Sequence, residues 1–156
     1  MDLSKRIVIK GIPTVIIIVF STLGFAAMLY LFLSFGVKVS IPNVCSINAV
    51  INCAKVDNSA YSKFAGISLY DYGMAYFALT LLLAAALRLT HRKKNKKYLE
   101  YSLLSLSIFG AIAVVYLVYA EIFSIKAICE MCTISHASII AILASSVYMV
   151  KKRFER

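Results

Sequence analysis

Four long apolar segments dominate the chain. They cover about residues 12–35, 69–89, 100–123 and 130–150. Each has about twenty residues or more, which at about 1.5 Å per residue spans a hydrocarbon layer of about 30 Å. In lipid only helices and closed barrels satisfy their backbone hydrogen bonds, and these segments lack the two-residue alternation of a barrel strand. The pattern therefore predicts an all-α integral membrane four-helix bundle, built as one transmembrane domain over residues 1–156.

Composition agrees with a membrane class. Hydrophobic residues make up 62% of the chain, whereas a soluble domain has about 45–50%. The first apolar segment is too long for a removable signal peptide and has no small-residue cleavage pattern. The excess of apolar residues excludes a single soluble core.

The basic residues predict the orientation of the bundle. Thirteen flank one side of the spans: Lys5, Arg6, Lys10, Arg88, Arg92, Lys93, Lys94, Lys96, Lys97, Lys151, Lys152, Arg153 and Arg156. Four flank the other: Lys38, Lys55, Lys63 and Lys126. The positive-inside rule puts both termini in the cytoplasm and a long loop, about residues 36–68, outside it. Because the net charge of +10 falls in blocks between spans, we expect contact with lipid headgroups and no nucleic-acid partner.

All four cysteines fall on the predicted outer side. Cys45 and Cys53 lie in the long loop, and Cys129 and Cys132 form a Cys-x-x-Cys pair where the fourth span begins. An even count in an oxidising compartment predicts disulfides. A helix N-terminus stabilises a thiolate, the nucleophile of disulfide exchange, so we favour two redox-active pairs. Two structural disulfides in a noncatalytic membrane scaffold are an alternative. A zinc site is another, but the Cys-x7-Cys spacing disfavours it and no metal is expected.

Redox cysteines need an electron donor and an electron acceptor. A soluble partner can reach the outer loop. Cys132 lies one turn inside the bilayer edge, within reach of an oxidant dissolved in lipid. A quinone carries two electrons and two protons, as a disulfide does. The position of the dithiol therefore predicts a quinone as its acceptor.

Two ionisable residues lie inside the predicted spans, where such groups are rare and usually face the bundle interior. His136 shares one helical stripe with Cys129 and Cys132. We predict that it hydrogen-bonds a quinone oxygen or supplies a proton to it. Asp71 is predicted to serve a second oxygen or to pair with His136. The alternative for both is an interhelical hydrogen bond without a chemical role.

Other polar and aromatic residues near the outer rim have two interpretations. Tyr72, with Tyr70 and Tyr76, either lines a quinone pocket or anchors the helix at the interface. Glu121 and Glu130 are expected to be solvated at the outer interface.

The arrangement of these residues resembles the vitamin K epoxide reductase family. The matching features are Cys45-x7-Cys53, Ser59 six residues later, the segment "GISLYDYGMAYF" that leads into the second span, and Cys129-x-x-Cys132 at the outer end of the fourth. Four helices with both termini cytoplasmic match as well. The resemblance covers about residues 12–150.

The resemblance implies a role for each cysteine. Cys45 and Cys53 are then a shuttle pair, in which Cys45 exchanges with a thioredoxin-like partner. Cys53 passes electrons to Cys129 through a transient disulfide, and Cys132 engages the quinone. Ser59 lies on a short loop helix, about residues 56–66, that caps the quinone pocket.

The chain also departs from the family pattern. His136 stands where vertebrate members have a Tyr, and Leu69 and Asp71 lie near the position of a vertebrate Asn. The chain ends in "KKRFER", so the thioredoxin-like partner is expected to be a separate protein. These differences favour a quinone reductase over an epoxide reductase.

The sequence thus predicts a monomeric, multi-pass protein of the cell membrane with an extracytoplasmic active site. It oxidises a thioredoxin-like partner, reduces a quinone of the ubiquinone, menaquinone or vitamin K type, and drives disulfide formation outside the cytoplasm. An alternative is a vitamin K epoxide or quinone reductase of the endoplasmic reticulum membrane.

Overall fold

The structure is a computed structural model that describes residues 3–39, 45, 50–90 and 92–155. It describes the backbone, but not the side chains, of residues 3–10 and 93. Residues 40–44 and 46–49 of the predicted outer loop lie outside the described residues, as does Arg156. The side chains of Lys5, Arg6, Lys10 and Lys93, used above to predict orientation, lie outside them too.

Long helices form the body of the protein. Helix α1 covers Leu3–Leu31 and continues as a π-helical turn, Phe32–Gly36. Helix α3 covers Leu69–Leu89, α4 covers Lys93–Tyr119 with a π-helical turn at Ala120–Ile125, and α5 covers Glu130–Phe154. Short helix α2, Cys53–Asp57, precedes α3. The membrane helix bundle is confirmed.

Four segments are long and apolar enough to cross a membrane: Gly11–Gly36, Leu69–Leu89, Lys94–Ile125 and Glu130–Phe154. Each overlaps one predicted span. The third is longer than predicted, because α4 begins at Lys93, within the basic segment between the second and third predicted spans. The compartment that each end faces stays a prediction.

The long helices pack as a ring in which α1 and α4 each contact both α3 and α5. Large apolar side chains also point outward: Phe109 and Val115 of α4 are 70% and 71% exposed. In a soluble protein such a surface would aggregate, whereas in a bilayer it faces lipid tails. At one end Arg153 of α5 forms an ion pair with Glu100 of α4, with 2.6 Å between Nε and Oε2.

Glycines allow two large rings to approach neighbouring helices. A Cβ atom on Gly24 of α1 would collide with the ring of Phe77, which is 1% exposed on α3. A Cβ atom on Gly110 of α4 would lie 2.8 Å from the Tyr76 ring. Small residues at helix interfaces serve this purpose in membrane bundles.

The outer loop is more structured than predicted. After α2 come a 3₁₀ turn, Ala60–Ser62, and a hairpin of strands β1, Lys63–Phe64, and β2, Ile67–Ser68. Ala65 and Gly66 both have positive φ, at 51° and 83°, as a two-residue type I′ turn requires. The loop helix therefore lies earlier than the predicted 56–66.

Candidate active site

The outer loop is attached to the α4–α5 connection by backbone hydrogen bonds. The Ile128 N–H donates to the Val50 carbonyl at 2.8 Å, and the Asn52 N–H donates to the Ile128 carbonyl at 3.1 Å. Ile51 and Ile128 are thereby paired as a parallel bridge. This docking brings Cys53, one residue beyond Asn52, next to the start of α5.

Helix α2 begins at Cys53 because Asn52 caps it. The Asn52 side chain accepts a hydrogen bond from the Lys55 N–H at 3.0 Å, the usual geometry for an N-cap asparagine. The Cys53 N–H donates to the Cys45 carbonyl at 3.1 Å. Cys45 and Cys53 are joined by a disulfide, with their Cα atoms 5.6 Å apart.

The second cysteine pair lies at the N-terminus of α5. Cys129 is the N-cap residue, and its Sγ accepts a hydrogen bond from the Cys132 N–H at 3.3 Å. Both residues are free cysteines. The Cys129 sulfur therefore lies at the N-terminal end of α5, where backbone N–H groups have no partner within the helix.

The two cysteine pairs meet. Cys53 Sγ lies 3.0 Å from Cys129 Sγ, and the sulfur atoms of Cys45, Cys53 and Cys129 all lie within 4.8 Å of one another. A thiol and a disulfide at this distance are poised for exchange. The grouping does not favour zinc, because two of these sulfurs share a disulfide and the metal binds thiolates.

A cavity of about 190 Å³ opens beside the sulfur atoms. Met28, Tyr76 and Phe77 contribute to its apolar wall, and Cys53, Cys129 and Cys132 are among its lining residues. Cys129 is only 1% exposed, while Cys132 is partly accessible. The free thiol of Cys132 is therefore the one that a molecule in the cavity meets most readily.

A family comparison agrees with this site. The sequence model described as "Vitamin K epoxide reductase family" matches residues 15–147. The chain belongs to the vitamin K epoxide reductase family. Its fold and cysteine cluster are those of a membrane quinone-linked disulfide oxidoreductase, and members of the family use quinones. A search of curated proteins finds no match to this chain.

Within this family site, two of the predicted quinone contacts line the cavity. His136 on α5 is 9% exposed and lies in the wall below Cys132. Tyr72 on α3 lies at the outer edge, where its hydroxyl donates to the Phe64 carbonyl at 3.2 Å and its ring packs edge-on against the Phe64 ring. Tyr72 thus connects the loop hairpin to the cavity edge.

The other two predicted contacts lie elsewhere. Ser59 falls between α2 and the 3₁₀ turn, and its hydroxyl donates to the Val56 carbonyl at 2.7 Å. Asp71 lies in the first turn of α3, where its charge suits the helix dipole. Neither is among the described residues that line the cavity. No ion pair joins Asp71 to His136 in the described part of the chain.

Two further polar side chains, Tyr76 and Glu121, belong to the cavity wall. The Tyr76 hydroxyl is buried and has no hydrogen-bond partner among the described residues, so it is free to bind a ligand oxygen. Glu121, expected to be solvated, is only 7% exposed. The π-helical turn at the end of α4 directs it into the site, and no periodicity in the sequence signals such a turn.

Asp57 at the end of α2 also lines the cavity. Burial raises the pKa of its carboxyl above the ordinary value, and the nearby Lys63 partly offsets this. Asp57 also acts electrostatically on Cys132. The outer loop thus brings a titratable group, as well as a sulfur atom, to the site.

Proposed function

We propose that the chain is a membrane thiol–quinone oxidoreductase that drives disulfide formation outside the cytoplasm. It takes electrons from a thioredoxin-like partner through Cys45 and Cys53 and passes them through Cys129 and Cys132 to a quinone. The observation that carries the proposal is the 3.0 Å contact between Cys53 Sγ and Cys129 Sγ. Such a contact serves exchange between the two pairs and has no use in a scaffold with permanent disulfides.

In the first half of the cycle a partner thiolate attacks Cys45. The Cys45–Cys53 bond breaks, and the partner's second thiol resolves the mixed disulfide, leaving two protein thiols. The partner has then been oxidised and the loop pair reduced by two electrons.

In the second half the Cys53 thiolate attacks Cys129 of a Cys129–Cys132 disulfide. Cys132 leaves as a thiolate, and Cys45 then attacks Cys53, which re-forms the loop disulfide and frees Cys129. The oxidation states in the structure, a Cys45–Cys53 disulfide beside free Cys129 and Cys132, correspond to the end of this transfer. The dithiol is then ready to reduce an acceptor in the cavity.

The lining of the cavity supports a quinone as the electron acceptor. Its wall is largely apolar, and the Tyr76 hydroxyl lacks a partner among the described residues, as expected for a donor that awaits a ligand carbonyl. A bound quinone supplies the sink for two electrons and two protons. In the proposal Tyr76 and His136 hydrogen-bond its oxygens, and Tyr72 closes the outer edge. Ser59 and Asp71 act indirectly, by holding the loop turn and the start of α3.

The test is a disulfide trap. In Cys132→Ser protein, Cys129 can attack Cys53 but cannot form its own pair, so a Cys53–Cys129 crosslink accumulates and frees Cys45 for maleimide labelling. Quinone reduction falls to background. Mass spectrometry of the crosslinked peptides and quinone absorbance, with a thioredoxin-like dithiol as donor, measure the two results.

The matched control is Cys129→Ser, which removes the attacking sulfur and leaves the Cys45–Cys53 disulfide intact and Cys45 unlabelled. A scaffold predicts that all four sulfurs of the unmodified protein resist maleimide, before and after the addition of quinone. That outcome, or the absence of the Cys53–Cys129 crosslink, would overturn the proposal. Assays with ubiquinone, menaquinone and vitamin K epoxide distinguish the acceptors.

A further inference from the structure

One acidic group in the site has no role in the proposed electron path. Glu121 is the one carboxylate counted as buried among the described residues, at 7% exposure. It lies in the π-helical turn Ala120–Ile125, near the end of the third candidate span. Buried charges in membrane proteins are costly and are usually paired. In the described part of the chain no Lys, Arg or His forms an ion pair with Glu121.

The nearest interacting groups of the Glu121 side chain belong to the reacting cysteines. Its carboxylate lies close enough to the Cys132 thiol and the Cys129 backbone N–H to interact electrostatically with both. Its position is fixed from the other side by the Ala127 N–H, which donates to the Glu121 carbonyl at 3.3 Å. Glu121 therefore lies beside the thiol that faces the cavity, and both residues line the same cavity wall.

We propose that Glu121 is the catalytic proton acceptor for Cys132, an inference that rests on the proposed function. The Cys132 S–H bond breaks and its proton moves to the carboxylate, while the sulfur keeps the electron pair. Oxidation of Cys129 and Cys132 to a disulfide then delivers two electrons to the quinone. Glu121 passes the first proton to one quinone oxygen, and the Cys129 thiol supplies the second proton, so the products are one disulfide and one hydroquinone.

The geometry also explains why the proton acceptor is a carboxylate that has no cationic partner. A thiolate and a carboxylate in contact repel, so the pair is most stable with one proton between them. A Lys or Arg partner would hold Glu121 charged and unable to take the proton. Asp57 from α2 and His136 from α5 face the same cavity, but Glu121 is the buried carboxylate that interacts with both the Cys132 thiol and the Cys129 backbone N–H.

The experiment uses the full-length protein reduced with dithiothreitol and mixed with menaquinone or ubiquinone in a stopped-flow instrument. Glu121→Gln keeps an oxygen for the Cys129 N–H but cannot accept a proton. We expect the single-turnover rate to fall about 100-fold, as for loss of a general base, with little change in quinone KM. Glu121→Asp is expected to recover part of the rate. Glu130→Gln, an exposed carboxylate beside Cys129, is the charge-matched control and is expected to keep the wild-type rate.

A second readout needs no quinone. Maleimide labels Cys132 through its thiolate, which no longer faces a negative charge in Glu121→Gln. Labelling is therefore expected to be as fast as in the wild type or faster across the pH range, although quinone reduction is slow. Slower labelling, together with a lower melting temperature, would show that Glu121 is only structural and would overturn the proposal.

Two further outcomes separate this inference from the proposed function. If the wild type reduces quinone and Glu121→Gln does so equally fast, or if Glu130→Gln is slowed as much, Glu121 is not the proton acceptor and the function stands. If reduced wild-type protein transfers no electrons to any quinone, the proposed function fails, and the role of Glu121 fails with it.

Discussion

Buried polar groups differ between the packed part of the bundle and the cavity. In the packed part, hydroxyls on the helices bond to their own backbone: Ser138 donates to the Ile134 carbonyl and Ser146 to the Ile142 carbonyl, each at 2.8 Å. At the cavity, the buried Glu121 carboxylate has no ion-pair partner and the Tyr76 hydroxyl has no hydrogen-bond partner among the described residues. Polar groups in the packed part of the bundle bond within their own helix, whereas polar groups at the cavity remain available to a ligand.

Ser21 of α1 and Ser34 of the π-helical turn that follows it are exceptions. Their buried hydroxyls also lack a partner among the described residues, yet neither residue belongs to the described cavity lining. A ligand site is therefore distinguished from the packed bundle by an unsatisfied polar atom that lies next to an open volume, and not by either feature alone.

The largest effect is expected from replacing, with alanine, the two glycines that lie against aromatic rings. Gly24→Ala places a methyl group against the buried Phe77 ring and should destabilise the packed bundle by about 1–3 kcal/mol through overpacking. Gly110→Ala meets the Tyr76 ring, which has the cavity as room to shift. We expect a smaller loss of melting temperature but a higher quinone KM. Equal loss of stability in both variants would contradict the distinction between packed and open regions.

A smaller effect is expected from removing a single hydroxyl group. Tyr76→Phe removes a group that has no described partner, so stability should not fall. Quinone binding should weaken by about 0.5–1.5 kcal/mol, the usual net value of one hydrogen bond. Ser138→Ala is the matched control, with an unchanged quinone KM. Binding isotherms and melting curves in detergent measure both, and an unchanged KM in Tyr76→Phe would remove that hydroxyl from the site.

The smallest effect concerns pH. Because burial raises the pKa of Asp57, the folded protein favours the protonated carboxyl. The stabilising contribution of the protonated Asp57 carboxyl is present at pH below the ordinary Asp pKa, and it is lost as the pH rises through the raised pKa of the folded protein. Asp57→Asn stays neutral, so it should match the wild type in acid and melt at a slightly higher temperature near neutral pH. A lower melting temperature of the variant at neutral pH would contradict this sign.

The spans were predictable from sequence because a bilayer imposes length and apolarity on every helix that crosses it. The start of α2 could also have been predicted from the sequence, because Asn52 is an N-cap signal directly before Cys53. The predicted position of the loop helix did not take this signal into account. The meeting of Cys53 and Cys129 was expected only through family resemblance. The spacing of the cysteines cannot predict this contact, because the contact depends on backbone pairing between segments 76 residues apart in the sequence.

The burial of Glu121 was wrongly predicted for a related reason. A charged residue near the end of a span is ordinarily at the water interface. Here a π-helical turn, followed by Lys126 with a φ of 52°, folds the chain back so that the end of α4 lies under the start of α5. Helical periodicity places a side chain on a helix face, but it does not predict where a helix changes its hydrogen-bonding pattern.

The attachment of the outer loop at Ile51 and Ile128 uses main-chain atoms. Any amino acid except proline supplies those donors and acceptors. Under the proposed function, the loop surface can therefore vary in shape and charge to suit one donor protein or another, while the alignment of the two cysteine pairs stays the same.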